Sequence, residues 1–109
     1  MKLVVAVVQD DDSAELIDRL VKGKFSTTKL ASTGGFLKEG NTTLMVGVPN
    51  EQVEEVIGVI KEVCQSRRQV FSAPMPPTGS AGVFISYPID VVVGGATIFV
   101  LDIDRFEKV

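Results

Sequence analysis

Residues 3–8, Leu-Val-Val-Ala-Val-Val, are apolar without a break and rich in β-branched side chains, the pattern of a strand covered on both faces. Asp12 is then placed to cap a helix, with Glu15 three residues on completing a capping-box pattern. Leu16, Ile17, Leu20 and Val21 recur at helical spacing and Gly23 supplies the stop. Residues 25–32 predict a second, threonine-rich strand, 33–41 a glycine-punctuated turn, and 42–48 a third strand. Pro49-Asn50 opens a second helix with Asn50 as its N-cap, and Val53, Val56, Ile57, Ile60, Val63 and Cys64 line one face of it.

The pattern is less regular after the second helix. Gln69-Val70-Phe71 suggests a short strand, and residues 72–82, with Pro74, Pro76, Pro77, Gly79 and Gly82, a loop. Residues 89–93 return as a strand, Gly94-Gly95 marks a bulge or tight bend, and 96–101 is strongly strand-like. Asp102 to Phe106 suggests a short capped turn. The simplest assembly is an α+β fold, a ferredoxin-like β-α-β-β-α-β core closed by residues 96–101. An enlarged loop or hairpin of about thirty residues sits between the second helix and that last core strand, a length usually reserved for function. No internal repeat or low-complexity tract appears, and the 109 residues suit one domain spanning 1–109.

Two helices in such a fold cover one face of the sheet only, and a strand facing water on its other side alternates apolar with polar. Here Leu3, Val5 and Val7 line one face while Val4, Ala6 and Val8 are equally apolar on the other, and Leu44, Val46 and Val48 lie opposite Met45. Both faces call for burial, so subunits are expected to associate. The residues alone do not separate dimer from trimer.

Composition narrows the function. Hydrophobic residues at 45% can build a core, charged residues at 23% are ordinary for a folded domain, and a net charge of −3 disfavours broad neutralisation of a nucleic-acid polymer. A single cysteine, Cys64, excludes an internal disulfide and a multi-thiolate metal site. The opening apolar run is too short for a membrane span and passes directly into Gln9-Asp10-Asp11-Asp12, so it is read as a buried strand of a cytoplasmic protein rather than a signal peptide. The acidic triplet suits a helix N-terminus. With no histidine anywhere, histidine-based triads and acid–base dyads are excluded. Asp102 and Asp104 stand without supporting groups, and the chain is expected not to be an enzyme.

The most informative segment is Thr33-Gly34-Gly35-Phe36-Leu37. Adjacent glycines allow close approach of backbone N–H groups to a ligand. Phe36 offers a ring for an adenine, and Asn41 an amide for a base edge. Thr28 and Lys29 offer a hydroxyl and a cation for phosphate. On these residue types alone, a nucleotide cradle and a plain hairpin tip stand level, since no Walker or Rossmann pattern is present.

Val7-Val8-Gln9-Asp10 and Thr28-Lys29-Leu30-Ala31-Ser32-Thr33-Gly34-Gly35-Phe36-Leu37 closely resemble the PII-like cyclic di-AMP receptors of Gram-positive bacteria. Gly40-Asn41-Thr42-Thr43, Tyr87-Pro88 and Val93-Gly94-Gly95-Ala96-Thr97 continue the likeness over essentially the whole chain. The resemblance implies a homotrimer with three ligand clefts between subunits, a short loop near 38–40 and an enlarged one over 67–88, whose ordering on ligand binding is expected to alter a surface read by an unidentified downstream protein. It implies that Gly35, Phe36 and Leu37 hold the adenine and that Thr28, Asn41 and Gly47 line the site. The family usually has an arginine two residues before the position of Thr28, where Ser26 stands here. Lys24 stands where a polar residue is common and offers, with Lys29, a substitute charge, although a lysine is a point charge and not a bidentate fork. The chain end, Glu107-Lys108-Val109, also departs from the family's glutamine and aromatic. Two other readings stay open: the same fold binding ATP, ADP or another adenine nucleotide, and a ligand-independent protein-interaction module.

Overall fold

The computed structural model describes residues 1–33, 40–74 and 86–109. The elements run β1 (Lys2–Gln9), α1 (Asp10–Lys22), β2 (Thr27–Thr33), β3 (Asn41–Val48), a 3₁₀ turn (Asn50–Gln52), α2 (Val53–Cys64), β4 (Arg67–Pro74), β5 (Ser86–Val93) and β6 (Ala96–Asp102). One antiparallel sheet has the order β2-β3-β1-β6, and β4 and β5 pair as a separate two-stranded ribbon. This is the ferredoxin-like α+β fold expected from the sequence, with β6 as the fourth core strand. The ribbon lies between α2 and β6 in chain order.

The helices pack on one face of the sheet. Val4, Ala6 and Val8 of β1 and Thr42, Leu44, Val46 and Val48 of β3 are all buried there, against Leu16 and Leu20 of α1 and Val56, Ile60 and Cys64 of α2. The alternate residues Leu3, Val5 and Val7 are only partly covered. They share their face with Met45 and with Phe99 and Leu101 of β6, through the pairs Val5↔Met45, Val5↔Phe99 and Leu3↔Leu101. Phe99 and Leu101 are 54% and 48% exposed. The two-sided apolarity of β1 therefore has the origin expected: one face covered by helices, the other apolar and open in the protomer.

Several local expectations are corrected. The first helix starts at Asp10 with Gln9 at its N-cap and no side-chain cap; Asp12 lies inside the first turn, buried and ion-paired with Arg67. Asn50 is not the N-cap of α2 but opens the 3₁₀ turn after Pro49, and its Oδ1 accepts a hydrogen bond from the N-terminal amine at 3.4 Å. Gly23 is the C-cap of α1 as expected, but the left-handed residue is Lys24, at φ 65°. Lys24 N–H donates to Val21 O and Phe25 N–H to Leu20 O, both at 2.9 Å, a Schellman termination in which buried Phe25 and Leu20 provide the apolar contact. Val21 is 58% exposed and not part of the core.

The segment after α2 is more regular than its prolines suggest. β4 continues through Ser72 to Pro74, where a loop was expected, and β5 begins at Ser86 rather than Ile89. Residues 75–85, with Pro76, Pro77, Gly79 and Gly82, lie outside the described residues. A ribbon needs no internal apolar alternation to be extended, because its ladder bonds form along the backbone alone. Residues 103–109 form no capped turn.

Candidate functional site

Four separated stretches of chain meet at one end of the sheet. Gln9, the last residue of β1, pairs with Asn41, the first of β3, and Asn41 pairs in turn with Thr33, the last of β2. On the other side of β1, Val8 pairs with Ala96 just after the Gly94-Gly95 bend. Val7, Val8, Gln9, Asn41 and the run Gly94 to Thr97 line a cleft of about 360 Å³. That is at the small end of ligand pockets, which span roughly 300–1,000 Å³. Three of the sequence segments singled out by resemblance, 7–10, 40–43 and 93–97, thus meet around one concavity, although they are distant in the chain.

The cleft wall is held by hydrogen bonds. Gly94 N–H donates to Gln9 Oε1 at 2.7 Å, and Gly95 N–H to Cys64 O at 2.5 Å. Both glycines have positive φ, +83° and +94°, a region that L side chains avoid. Their amide protons are used inside the protein, so the Gly94-Gly95 bend shapes the cleft and is not an anion cradle. Asp10 N–H donates to Gly40 O at 3.0 Å, and the buried Thr42 hydroxyl donates to Asp10 Oδ1 at 2.5 Å. These two bonds tie the start of α1 to the start of β3 beneath the cleft.

The predicted site residues divide into two groups. Asn41 lies on the cleft; Gly35, Phe36 and Leu37 lie outside the described residues, in the connection that leaves β2 at Thr33 and re-enters at Gly40. Gly47 pairs with Leu3 near the opposite end of β3, about 20 Å from Asn41 at ~3.4 Å per residue. Lys24, in the α1–β2 turn, belongs to the Gly47 end, because Thr27 pairs with Val46. Thr28 pairs with Met45 and Lys29 with Leu44, between the two ends. Among the described residues, the chain therefore does not gather Lys24, Asn41 and Gly47 into one pocket. A β-bulge between Lys29 and Ala31 leaves Leu30 as the extra residue and inverts the strand's alternation against β3 from that point on. Leu30 is 56% exposed on this edge.

Sequence reasoning gave no role to Gln9 or Arg67. Gln9, a polar side chain ending an apolar run, was a usable signal. Arg67 Nη2 donates to Asp12 Oδ1 at 2.9 Å, and its Nη1 donates to Gln65 O at 3.1 Å and reaches Asp12 Oδ2 at 3.5 Å. The hydrogen bond to Asp12 holds the Arg67 guanidinium above its ordinary value. Burial first, and then the Asp12 carboxylate, push the nearby Cys64 thiol up to about 11, against the pull of Arg67. Cys64 is a buried, protonated thiol and not a nucleophile. Among the described residues no three or more His, Cys, Asp or Glu cluster to hold a metal ion. No described helix is long and apolar enough to cross a membrane.

Comparison with known proteins agrees with this fold. A solved structure from Pediococcus pentosaceus, described as a functionally unknown protein, superposes with a TM-score of 0.75 at 44% identity, over 99% of this chain and 96% of that one. The family model described as cyclic-di-AMP receptor matches residues 1–109. The match spans every strand and helix of the fold and all the segments that converge on the cleft, so the chain belongs to the cyclic-di-AMP receptor family.

Proposed function

We propose that this protein is a cytoplasmic signalling receptor, not an enzyme, that binds cyclic di-AMP in clefts between the subunits of a homotrimer. The observation that carries the reading is the convergence of Gln9, Asn41 and the Gly94–Thr97 run on one cleft at the end of the sheet. That cleft takes part of a nucleotide and is open on one side. The Gly47–Lys24 end of the sheet is the surface a neighbouring subunit brings to the remainder. The separation of about 20 Å within one protomer is consistent with a site completed between chains. The open sheet face of Leu3, Val5, Val7, Met45, Phe99 and Leu101 provides the apolar contact for assembly.

In this site Gly35, Phe36 and Leu37 hold the adenine, Thr28, Asn41 and Gly47 line the pocket, and Lys24 and Lys29 serve the phosphates. Ligand binding orders the segment 67–88, which presents a surface to a downstream protein. Calorimetry with cyclic di-AMP tests the ligand, and absence of heat at high micromolar concentration refutes it. Phe36→Ala is expected to weaken binding without changing the oligomeric mass, and an unaltered affinity assigns the ring to structure. Ser26 in place of an arginine supports a second reading, the same cleft taking ATP or ADP. A thermal-shift panel of nucleotides separates the two, and a panel without response favours a ligand-independent interaction module.

A further inference from the structure

The β4–β5 ribbon joins the rest of the protein at its root, and the root shares residues with the cleft wall. Arg67 is the first residue of β4 and pairs with Val93, the last of β5. Its guanidinium bonds to Asp12 of α1 and to the Gln65 carbonyl beyond α2. The next two residues, Gly94 and Gly95, bond to Gln9 of β1 and to the Cys64 carbonyl. The fit is tight, since a Cβ on Gly94 would lie 2.6 Å from Arg67 Nη1.

Away from the root the ribbon is exposed. Val70 and Val92 are 68% and 60% exposed, and Arg68 and Asp90 form a 3.6 Å ion pair with each other across the strands. The molecule measures 69 × 23 × 21 Å, far from the shape of a compact domain of this length. A two-stranded ribbon has little stability of its own, so its direction is set where it is anchored.

We propose that the Asp12–Arg67 ion pair is a latch that fixes the direction of the β4–β5 ribbon and transmits occupation of the cleft to it. The inference rests on the receptor reading above and assigns residues to its conformational output. The Asp12 carboxylate is only 6% exposed while the Arg67 side chain is 39% exposed. The acid is thus a fixed part of α1, and the arginine is the member that can leave. A ligand in the cleft touches Gln9 and the Gly94–Thr97 run. Through the Gly94 N–H it bears on the backbone that packs against Arg67. Arg67 and Asp12 touch neither the cleft nor the Gly47 end, so they act by positioning.

Amide hydrogen exchange on the full-length protein, with and without cyclic di-AMP, tests this, using wild type, Arg67→Gln, Arg67→Lys and the double variant Asp12→Asn/Arg67→Gln. The double variant keeps the site neutral if Arg67→Gln alone fails to fold. In wild type the ligand slows exchange in 67–74 and 86–93 by about fivefold or more, the lower range of ordinary site-to-site coupling. Without the latch the ligand-free ribbon exchanges faster, the ligand response disappears, and affinity by calorimetry falls by the same factor, since coupling is reciprocal. Lysine, which keeps the charge but not the fork, falls between. A variant ribbon that exchanges and responds as wild type overturns the latch. Heat of binding in wild type without any change in its ribbon overturns the transmission. No heat in wild type defeats the ligand reading, and with it the transmission, while the ligand-free comparison still decides the latch.

Discussion

Replacing Gly94 by alanine puts a Cβ 2.5 Å from the Gln65 carbonyl oxygen, 2.6 Å from Arg67 Nη1 and 3.3 Å from the Cys64 carbonyl oxygen, at φ +83°. The neighbouring Gly95 has φ +94°, but a Cβ there meets nothing nearer than Ser66 Cβ at 4.0 Å. The two positions share the conformational penalty and differ in the steric one. An L side chain held at positive φ costs about 1–2 kcal/mol, and overpacking against fixed backbone costs about 1–3 kcal/mol more. Gly94→Ala is therefore expected to destabilise by about 2–5 kcal/mol and Gly95→Ala by about 1–2 kcal/mol. The loss of unfolded-state entropy that alanine brings is common to both and cancels in the difference. A chain of this length has a melting entropy near 0.23 kcal/mol/K, so each kcal/mol moves Tm by about 4 °C. Calorimetric melting at one protein concentration, which removes the contribution of assembly, should place Gly94→Ala about 4–12 °C below Gly95→Ala. Two variants melting within about 2 °C of each other would refute the argument that the ribbon root is packed against Gly94.

Lys24→Gly relieves the left-handed residue after α1 and should raise Tm by about 4 °C, from roughly 1 kcal/mol, while weakening cyclic di-AMP if that lysine serves the phosphates; a lowered Tm would show that the backbone there is not strained. Leu44→Ala empties a fully buried position between the sheet and the helices and should cost about 2–5 kcal/mol in urea unfolding; a loss below 1 kcal/mol, roughly that of a surface change, would contradict the core assignment. Cys64 should resist alkylation at pH 8 until the protein unfolds. Burial pushes its folded pKa up to about 11, above that of an unfolded thiol, so the unfolded thiol ionises first and stability falls as pH rises between the two values, by at most about 1.4 kcal/mol per pH unit. Rapid labelling of the native protein would refute its burial. Phe99→Asp alters an exposed residue of the open sheet face and should leave the protomer folded while dissociating the assembly, read by light scattering; an unchanged mass would move the interface elsewhere.

Much of the fold was legible because its determinants are local. The unbroken apolar run of β1, the helical spacing of Leu16 and Leu20 and of Val56 and Ile60, and the glycine pair at 94 and 95 each carry their structure in neighbouring residues. The β4–β5 ribbon was only half legible, because its pairing is made by backbone and its prolines suggested a loop. Asp12 looked like a cap in sequence, since an acidic residue before an apolar helix favours either role; its real partner, Arg67, is 55 residues away.

The candidate site shows the same division. Residue types in the Thr33–Leu37 segment and at Asn41 were visible as chemistry, but nothing in their spacing placed Gln9 and Gly94 beside Asn41. Strand register decides this, through the pairings that set Gln9 against Asn41 and Val8 against Ala96, between segments far apart in the chain. The sequence by itself determined the strands and helices of the core and that the sheet is apolar on both faces, because periodicity and side-chain chemistry act over a few residues. Which residues share the cleft, and that the ribbon is anchored to its wall through Asp12, Arg67 and Gly94, was decided by the tertiary structure, because those contacts exist only once α1, α2, β1 and β6 have packed together.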